Sequence, residues 1–444
     1  MMQKKLLIYV TFFSLIFTSI NSWGAGFALY ENSSRGTGIC GAFVAQADDP
    51  SALFYNPSGM TQLEGTHFTN GMNTYTGVLE IHYANGGIET VEDKTWVVPN
   101  FYASQKLSGK LWVGLGVFAP FGLGNKFRED WYGRYNMYHT EIACAEINPN
   151  VAFKVSDSLS LAMGLSFQNF AILAKRKINP KTLVLMSGLV SNELYEKMFA
   201  EYFDTLPDID QEAFLDKPEY RFNASFRYQL NDKISFGGNY RSKVNYELTG
   251  EAKYNNVPAP NTNVQALDDV LTLINGTLFD AKMTAKVSLP DLIALGVAYK
   301  VNDKLTVEAD IVHTRWSRYE NIHYKFENGL PDFSEYKNWK DVNCYRFGAE
   351  YKASDVLALR GGYLFDESPL DDKAIDYALP GNDRHLFTIG AGYKYKKYTF
   401  DFHYGLVICL DRDVQKNEIV FIDEDWGFRK SYTHHLGFNV GYAY

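Results

Sequence analysis

The sequence predicts an all-β chain: a 14-stranded antiparallel transmembrane β-barrel with an N-terminal hatch, or plug, inside the lumen. Three observations predict it. A charged and apolar leader opens the chain, two-residue alternation recurs between copies of one tight polar turn, and the last strand ends on an aromatic residue.

Lys4 and Lys5 precede an apolar stretch from Leu6 to Ile20, and Ser22 and Gly24 stand at the −3 and −1 positions of a cleavage site. Residues 1–24 therefore read as a signal peptide, and the mature chain of 420 residues begins Ala25-Gly26-Phe27. An uncleaved anchor is the alternative, but the apolar run is short and a small-residue site follows it. No later stretch approaches the roughly 18 apolar residues that a membrane helix needs. Aromatic residues make up 16% of the chain, yet mean hydropathy is −0.24. A soluble exported protein hides its aromatics in a core, whereas a membrane barrel displays them in girdles around a polar interior. Without Lys4 and Lys5, 41 basic residues face 52 acidic ones, a net charge of −11 that argues against a nucleic-acid partner. Cys40, Cys144, Cys344 and Cys409 are widely spaced with no C-x-x-C, so free thiols are expected.

Residues 25–64 are too rich in Gly, Ala and Ser for a strand pair or a long amphipathic helix. Gly36-Thr-Gly-Ile-Cys-Gly41 is formally a G-x-G-x-x-G. A dinucleotide site needs a buried strand before that motif and an acid about 20 residues later. Here polar Asn32–Arg35 precedes it and Asp48 and Asp49 come too early, so no nucleotide is expected. Asn56-Pro57-Ser58 is a turn closing this compact segment. Residues 25–64 read as the plug and 65–444 as the wall around it.

The wall is marked by a repeated hairpin: Phe153-Lys-Val-Ser-Asp-Ser-Leu, Tyr228-Gln-Leu-Asn-Asp-Lys-Ile, Tyr299-Lys-Val-Asn-Asp-Lys-Leu and Tyr351-Lys-Ala-Ser-Asp-Val-Leu, with variants at Leu107–Lys110 and Tyr393–Tyr398. Short turns on one side and long loops on the other are the connections of an outer-membrane barrel. Alternation agrees: Tyr345, Phe347, Ala349 and Tyr351 oppose Arg346, Gly348, Glu350 and Lys352, while Phe400, Phe402 and Tyr404 oppose Asp401 and His403. The last strand carries Tyr432, Leu436, Phe438, Val440, Tyr442 and Tyr444 on one face. It resembles the C-terminal signal that the barrel assembly machinery recognises. The expected strands are 66–80, 95–107, 110–120, 138–155, 159–174, 219–230, 234–254, 281–301, 304–326, 340–352, 356–366, 384–395, 397–410 and 430–444. Two long outer loops remain, 175–218 and 256–280. Leu194, Tyr195, Met198, Phe199 and Tyr202 share a helical face in the first, and Val264–Ile274 has a helical pattern in the second. Such faces either dock the loops onto the rim or offer a landing site for apolar molecules.

These residues together resemble the FadL/TodX outer-membrane transporters of long-chain fatty acids and other hydrophobic compounds. The resemblance spans nearly the whole mature chain. Ala25-Gly26-Phe27, Ala47-Asp48-Asp49 and Asn56-Pro57-Ser58 resemble the family's hatch, with Ser58 replacing the usual Ala of its N-P-A motif. Pro120-Phe-Gly-Leu, Trp131-Tyr-Gly-Arg-Tyr, Thr314-Arg-Trp-Ser, Arg360-Gly-Gly-Tyr and Gly390-Ala-Gly-Tyr are similar in order to its later segments. The resemblance implies capture by outer loops, binding in a lumen pocket near the hatch N-terminus, and sideways release at a kinked strand. On that basis Phe27 and Leu29 are candidate pocket residues and Asn56, Pro57 and Ser58 gating residues. Gly114, Gly116 and Pro120 are candidates for the kink, because Gly and Pro weaken ladder pairing. Arg346, Arg360 and Lys394 face the lumen, where they can meet a substrate carboxylate or pair with Glu350, Glu308 or Asp310.

Expected partners are a hydrophobic small molecule, outer-membrane lipid and lipopolysaccharide, and the assembly machinery. No metal or cofactor is expected, and transport is expected to be passive. Aromatic hydrocarbons are the alternative cargo, and a general porin for polar solutes is a second reading that the hatch opposes. An enzyme is the remaining class: Asp401, His403 and His435 share a face, but no nucleophile accompanies them.

Overall fold

A computed structural model of the chain describes residues 26–92, 94–186, 193, 195, 199–416 and 424–444. The expected leader lies outside the described residues. Fourteen antiparallel strands close into a barrel. They are β1 (Thr66–Tyr83), β2 (Thr95–Lys106), β3 (Leu111–Phe118, resumed at Gly122–Lys126), β4 (His139–Lys154), β5 (Leu159–Ile178), β6 (Ile209–Gln229) and β7 (Ile234–Arg241 and Val244–Asn255). There follow β8 (Ala281–Leu289 and Leu292–Lys300), β9 (Leu305–Thr314 and Asn321–Phe326), β10 (Val342–Lys352), β11 (Leu357–Asp366), β12 (Arg384–Tyr395), β13 (Tyr398–Cys409) and β14 (Trp426–Ala443). β14 closes on β1 from His67–Ala443 to Tyr83–Trp426.

The repeated turn works through its Ser or Asn. Asn231 Oδ1 accepts from the N–H groups of Lys233 and Ile234, both at 2.9 Å, and Asn302 Oδ1 does the same for Lys304 and Leu305. Ser354 Oγ plays this part for Val356 and Leu357. A side chain that satisfies the turn's own donors makes the reversal local. The aromatic residue before each turn, Phe153, Tyr228, Tyr299, Tyr351 or Tyr393, is exposed on the outer wall. Those rings form a girdle beside the turns.

Polarity along the strands changes sign. Near the turns the outward side chains are apolar, among them Phe236, Leu295, Phe347, Phe387 and Phe402, and the inward ones polar, among them Asn239, Glu308, Arg346 and Asp401. Farther out, β7 turns Tyr246, Leu248 and Ala252 inward and leaves Asn245, Glu247 and Lys253 exposed, and β8 follows with Met283, Ala285 and Val287 inside. The turn-side half suits hydrocarbon; the loop-side half stands in water around an apolar interior. This inversion explains why β6 begins at Ile209 rather than 219 and β14 at Trp426 rather than 430. Apolar-out alternation, the sequence signal for a strand, ends where lipid ends.

The loop-side interior is closed by outer loops. Between β5 and β6 lie α3 (Pro180–Met186) and α4 (Ala200–Phe203); between β7 and β8 lies α5 (Gln265–Thr277). The numbers α1 and α2 belong to Ser34–Thr37 and Ala52–Tyr55 in the N-terminal segment. Tyr195, Phe199, Leu267, Leu271 and Ile274 are buried in one cluster with the upper strands, so these faces dock the loops. Leu194 and Met198 of the expected helical face lie outside the described residues.

Candidate functional site

Residues 26–63 fill the lumen beside the lower strands, and their local shape follows from their polar caps. Ser33 accepts from Gly36 N and starts α1; Asn56 accepts from Ser58 N, and Pro57 opens a 3₁₀ turn, Pro57–Gln62. The wall then holds this segment from many sides. Glu308 accepts from Ala45 N at 2.6 Å and Gln46 N at 3.0 Å, and Asp310 from Val44 N at 3.1 Å. Asn439 accepts from Ser34 N at 2.6 Å, and Tyr102 donates to Asn32 O at 2.8 Å. Asn56 uses both amide hydrogens, to Val44 O at 2.7 Å and to Phe226 O of β6 at 2.9 Å. Its Oδ1 accepts from Ser58 Oγ at 2.5 Å, and Ser58 N also meets Ser225 Oγ at 3.1 Å. Asn-Pro-Ser is therefore a buried rivet between hatch and wall.

The kink lies elsewhere than at the two glycines. Gly114 pairs with Ser104 and Asn150, and Gly116 with Tyr102 and Asn148, so the ladders run unbroken through both. Their missing side chains serve clearance instead: a Cβ on Gly114 would lie 2.4 Å from Met60 Sδ. The strand breaks at Ala119–Phe121, with Pro120 in the middle, where the N-terminal segment takes over the pairing. Leu29 N donates to Pro120 O and Gly122 N to Phe27 O, each at 2.9 Å, with Ala28 opposite Phe121. Among the described residues the β2–β3 ladder stops at Phe101–Val117. On the far side of the break Glu92 N, ahead of β2, bonds Lys126 O of β3 at 2.8 Å. Leu29 packs into this interval with Tyr75, Trp96, Val98 and Ala119.

A small cavity of about 40 Å³ adjoins the break, with Leu29, Tyr55, Pro120, Leu292, Val312 and Arg346 in its lining. Arg221 and Arg241 line it too, and the sequence reading did not single them out. Inward parity on β6 and β7 is the signal that finds them. Arg241 is satisfied, by Glu146 at 2.8 Å and the Phe54 carbonyl at 2.9 Å. Arg221 is 3.8 Å from Glu146, and its Nε has no partner among the described residues. Arg346 lies over the Tyr30 ring at 4.2 Å and donates to Gly41 O at 3.3 Å, while its Nη2 finds no partner there. A cavity with mostly apolar walls thus holds two guanidinium groups with unspent donors.

Phe27 occupies its own aromatic box rather than the cavity lining. Trp316, Tyr319, Trp339, Phe121 and Phe170 surround it with ring centroids 4.8–6.2 Å away. Arg360 is removed from the candidate ligands, because it pairs with Glu350 at 2.6 Å and Asp401 at 2.7 Å below the hatch. Arg35 of the hatch joins the same Glu350. Glu308 and Asp310 hold hatch backbone instead of arginine, and Lys394 is exposed. His403 bonds His435 at 3.1 Å and not Asp401, so the acid–base pair considered from sequence is not assembled. All four cysteines are free thiols.

Residues 15–440 match the model of an outer membrane protein transport family, OMPP1/FadL/TodX. The chain is 23% identical over 392 residues to a long-chain fatty acid transport protein of Escherichia coli, covering 85% of each. A crystal structure of a Pseudomonas aeruginosa FadL homologue has a TM-score of 0.80 at 18% identity, covering 94% of this chain and all of that one. A Ralstonia pickettii toluene transporter has a TM-score of 0.67 at 16% identity, with 93% and 98% covered.

Proposed function

The chain belongs to the outer membrane protein transport family OMPP1/FadL/TodX, whose members are transporters and not enzymes, and from that premise we propose passive import of a long-chain fatty acid. Its barrel sits in the outer membrane and carries hydrophobic compounds. One observation carries the choice of cargo: the cavity between hatch and broken strand is apolar but holds Arg221 and Arg346 with unspent donors. A carboxylate satisfies such donors with charge-assisted bonds, and the acyl tail suits Leu29, Leu292 and Val312. A neutral hydrocarbon would leave the buried guanidinium groups as they are.

In this reading the hatch N-terminus around Leu29 moves aside to enlarge the cavity, and the amphiphile taken from the outer loops rests its head at Arg346 and leaves into the bilayer through the interval between β2 and β3. A water-filled pore disfavours such a molecule, whereas a dry route returns it to hydrocarbon. Asn56, Pro57 and Ser58 hold the hatch that gates the route, and Pro120 marks its exit. The test is uptake of labelled oleate by cells lacking their own importer, carrying this chain or its Asn56→Ala variant. Uptake by the first and loss in the second, at equal surface expression, supports the proposal. No uptake by either removes fatty acids and leaves aromatic hydrocarbons to be tried.

A further inference from the structure

The loop from β11 to β12 crosses the outer mouth, held by ring packing, side-chain bonds to its backbone and a buried ion cluster. Its Leu370, Ala374, Ile375, Tyr377 and Leu379 are buried, and Tyr377 packs on Trp426 with ring centroids 4.6 Å apart. Asn125 Nδ2 donates to Ala378 O at 2.9 Å, and Arg412 donates to Gly381 O and Leu370 O. At the centre Lys337 Nζ meets Asp376 Oδ2 at 2.9 Å and also contacts Glu335. Lys337 is 3% exposed and Asp376 4%. Asp376 divides its work: Oδ1 accepts from Ala378 N and Leu379 N and shapes the loop, while Oδ2 ties that loop to Lys337. Lys337 N is bonded to Glu320 O, next to Tyr319, and Trp339 follows two residues on. Both rings belong to the box around Phe27, so the cluster lies beside that box, which shares Phe121 with the cavity lining.

One ammonium faces two carboxylates here, with the Arg176 guanidinium also acting on Glu335, an ion group out of water whose desolvation cost opposes its attraction. Exchange of one carboxylate for another conserves its net charge and returns Asp376 to solvent. We propose that the loop Glu367–Asp383 is the outer gate, latched by Lys337 and Asp376, and that the carboxylate of an incoming amphiphile opens it by replacing Asp376 at Lys337. The exchange rests on the fatty-acid reading above; the latch does not.

The test places a reporter thiol at Ala374→Cys, 7% exposed behind the latch, and follows labelling by a membrane-impermeant maleimide in intact cells. Adding Lys337→Met is expected to raise the labelling rate at least tenfold, and Lys337→Arg to leave it near the parent value. Equal rates in the Met variant and parent, with the barrel folded by its gel mobility, overturn the latch. Oleate is expected to accelerate labelling in the parent, oleyl alcohol not to, and neither to act on the Met variant. Acceleration by the alcohol overturns the exchange. Purified parent protein that binds oleate without faster labelling overturns the exchange alone; absence of oleate binding overturns the substrate reading instead. A staple between Asn125→Cys and Ala378→Cys is expected to stop oleate uptake until reduced, and unchanged uptake when oxidised overturns the gate.

Discussion

Ala28 lies opposite Phe121 as an antiparallel pair, flanked by the bonds Leu29 N to Pro120 O and Gly122 N to Phe27 O. The beginning of the hatch and the broken wall strand are thus one hydrogen-bonded unit. Any motion of residues 27–29 changes the edge that β3 presents to β2. Leu29→Pro removes the donor to Pro120 and keeps an apolar ring, so it is expected to lower oleate uptake without loss of surface expression. Uptake equal to the parent's would uncouple the two elements.

The interval between β2 and β3 is expected to be closable. The recorded register, continued by one pair, sets Asn100 opposite Phe118. The pair Asn100→Cys and Phe118→Cys is expected to form a disulfide under mild oxidant and to stop uptake until it is reduced. Full uptake by the oxidised protein sinks release through this side. Absence of any cross-link shows that the edges never meet.

Arg346→Met keeps the length of the side chain and removes its donors. A hydrogen bond to a charged group is worth about 1.5–3 kcal/mol, so oleate affinity is expected to fall about tenfold to a hundredfold. Binding of oleyl alcohol is expected to stay within about twofold, since the apolar wall is untouched. A parallel loss for acid and alcohol would assign Arg346 to packing alone.

Gly237 on β7 faces the hatch so closely that a Cβ there would lie 2.0 Å from Val44 O. That neighbour is backbone pinned by Asp310 and Asn56, and it has nowhere to retreat. Gly237→Ala is therefore expected to dislodge the hatch and to raise single-channel conductance in planar bilayers from a near-silent baseline. A parent channel that already conducts large steady currents would favour the porin reading.

The latch gives a pH dependence of defined sign. Burial alone raises the Asp376 carboxyl, but Lys337 outweighs it and holds the group below its ordinary value. Its contribution is full above about pH 4, the ordinary aspartate range, and is lost only as pH falls through its lowered value. Burial first, and Asp376 beside it, push the Glu335 carboxyl up, so it takes a proton earlier as pH falls. Because the folded state binds that proton more tightly than the unfolded chain, mild acid stabilises the closed loop. Labelling at Ala374→Cys, normalised to an exposed control thiol, is expected to slow from pH 7.5 to pH 5. Faster labelling over that interval contradicts the assignment.

Local chemistry made most of the barrel legible. A turn closed by Asn231 or Asn302 and a wall face of Phe400, Phe402 and Tyr404 are properties of single hairpins, and alternation reads them directly. The first ten residues of β6 escaped because Asp210, Glu212 and Asp216 face water there, and nothing in their polarity marks a strand. The cavity was legible at Leu29 and Arg346, whereas Arg221, Arg241 and Glu146 meet only because β4, β6 and β7 are brought together by closure. Gly114 was misread for a related reason. From sequence a strand glycine signals a break; in the fold it makes room for Met60, distant in the chain. The cluster of Lys337 and Asp376 joins two loops with no shared periodicity, so no pattern announced it.

The β2–β3 ladder is intact at Phe101–Val117, and beyond the break Glu92 N bonds Lys126 O. An interval with hydrogen bonds on both sides is a bubble in a zipped seam rather than a free edge. Pairs at its margins can open or close singly, each exchanging one or two hydrogen bonds, and no register has to be rebuilt. If cargo leaves by the proposed route, the width of such an aperture is counted in pairs, and one wall is expected to serve cargoes of several calibres while keeping its seal between them.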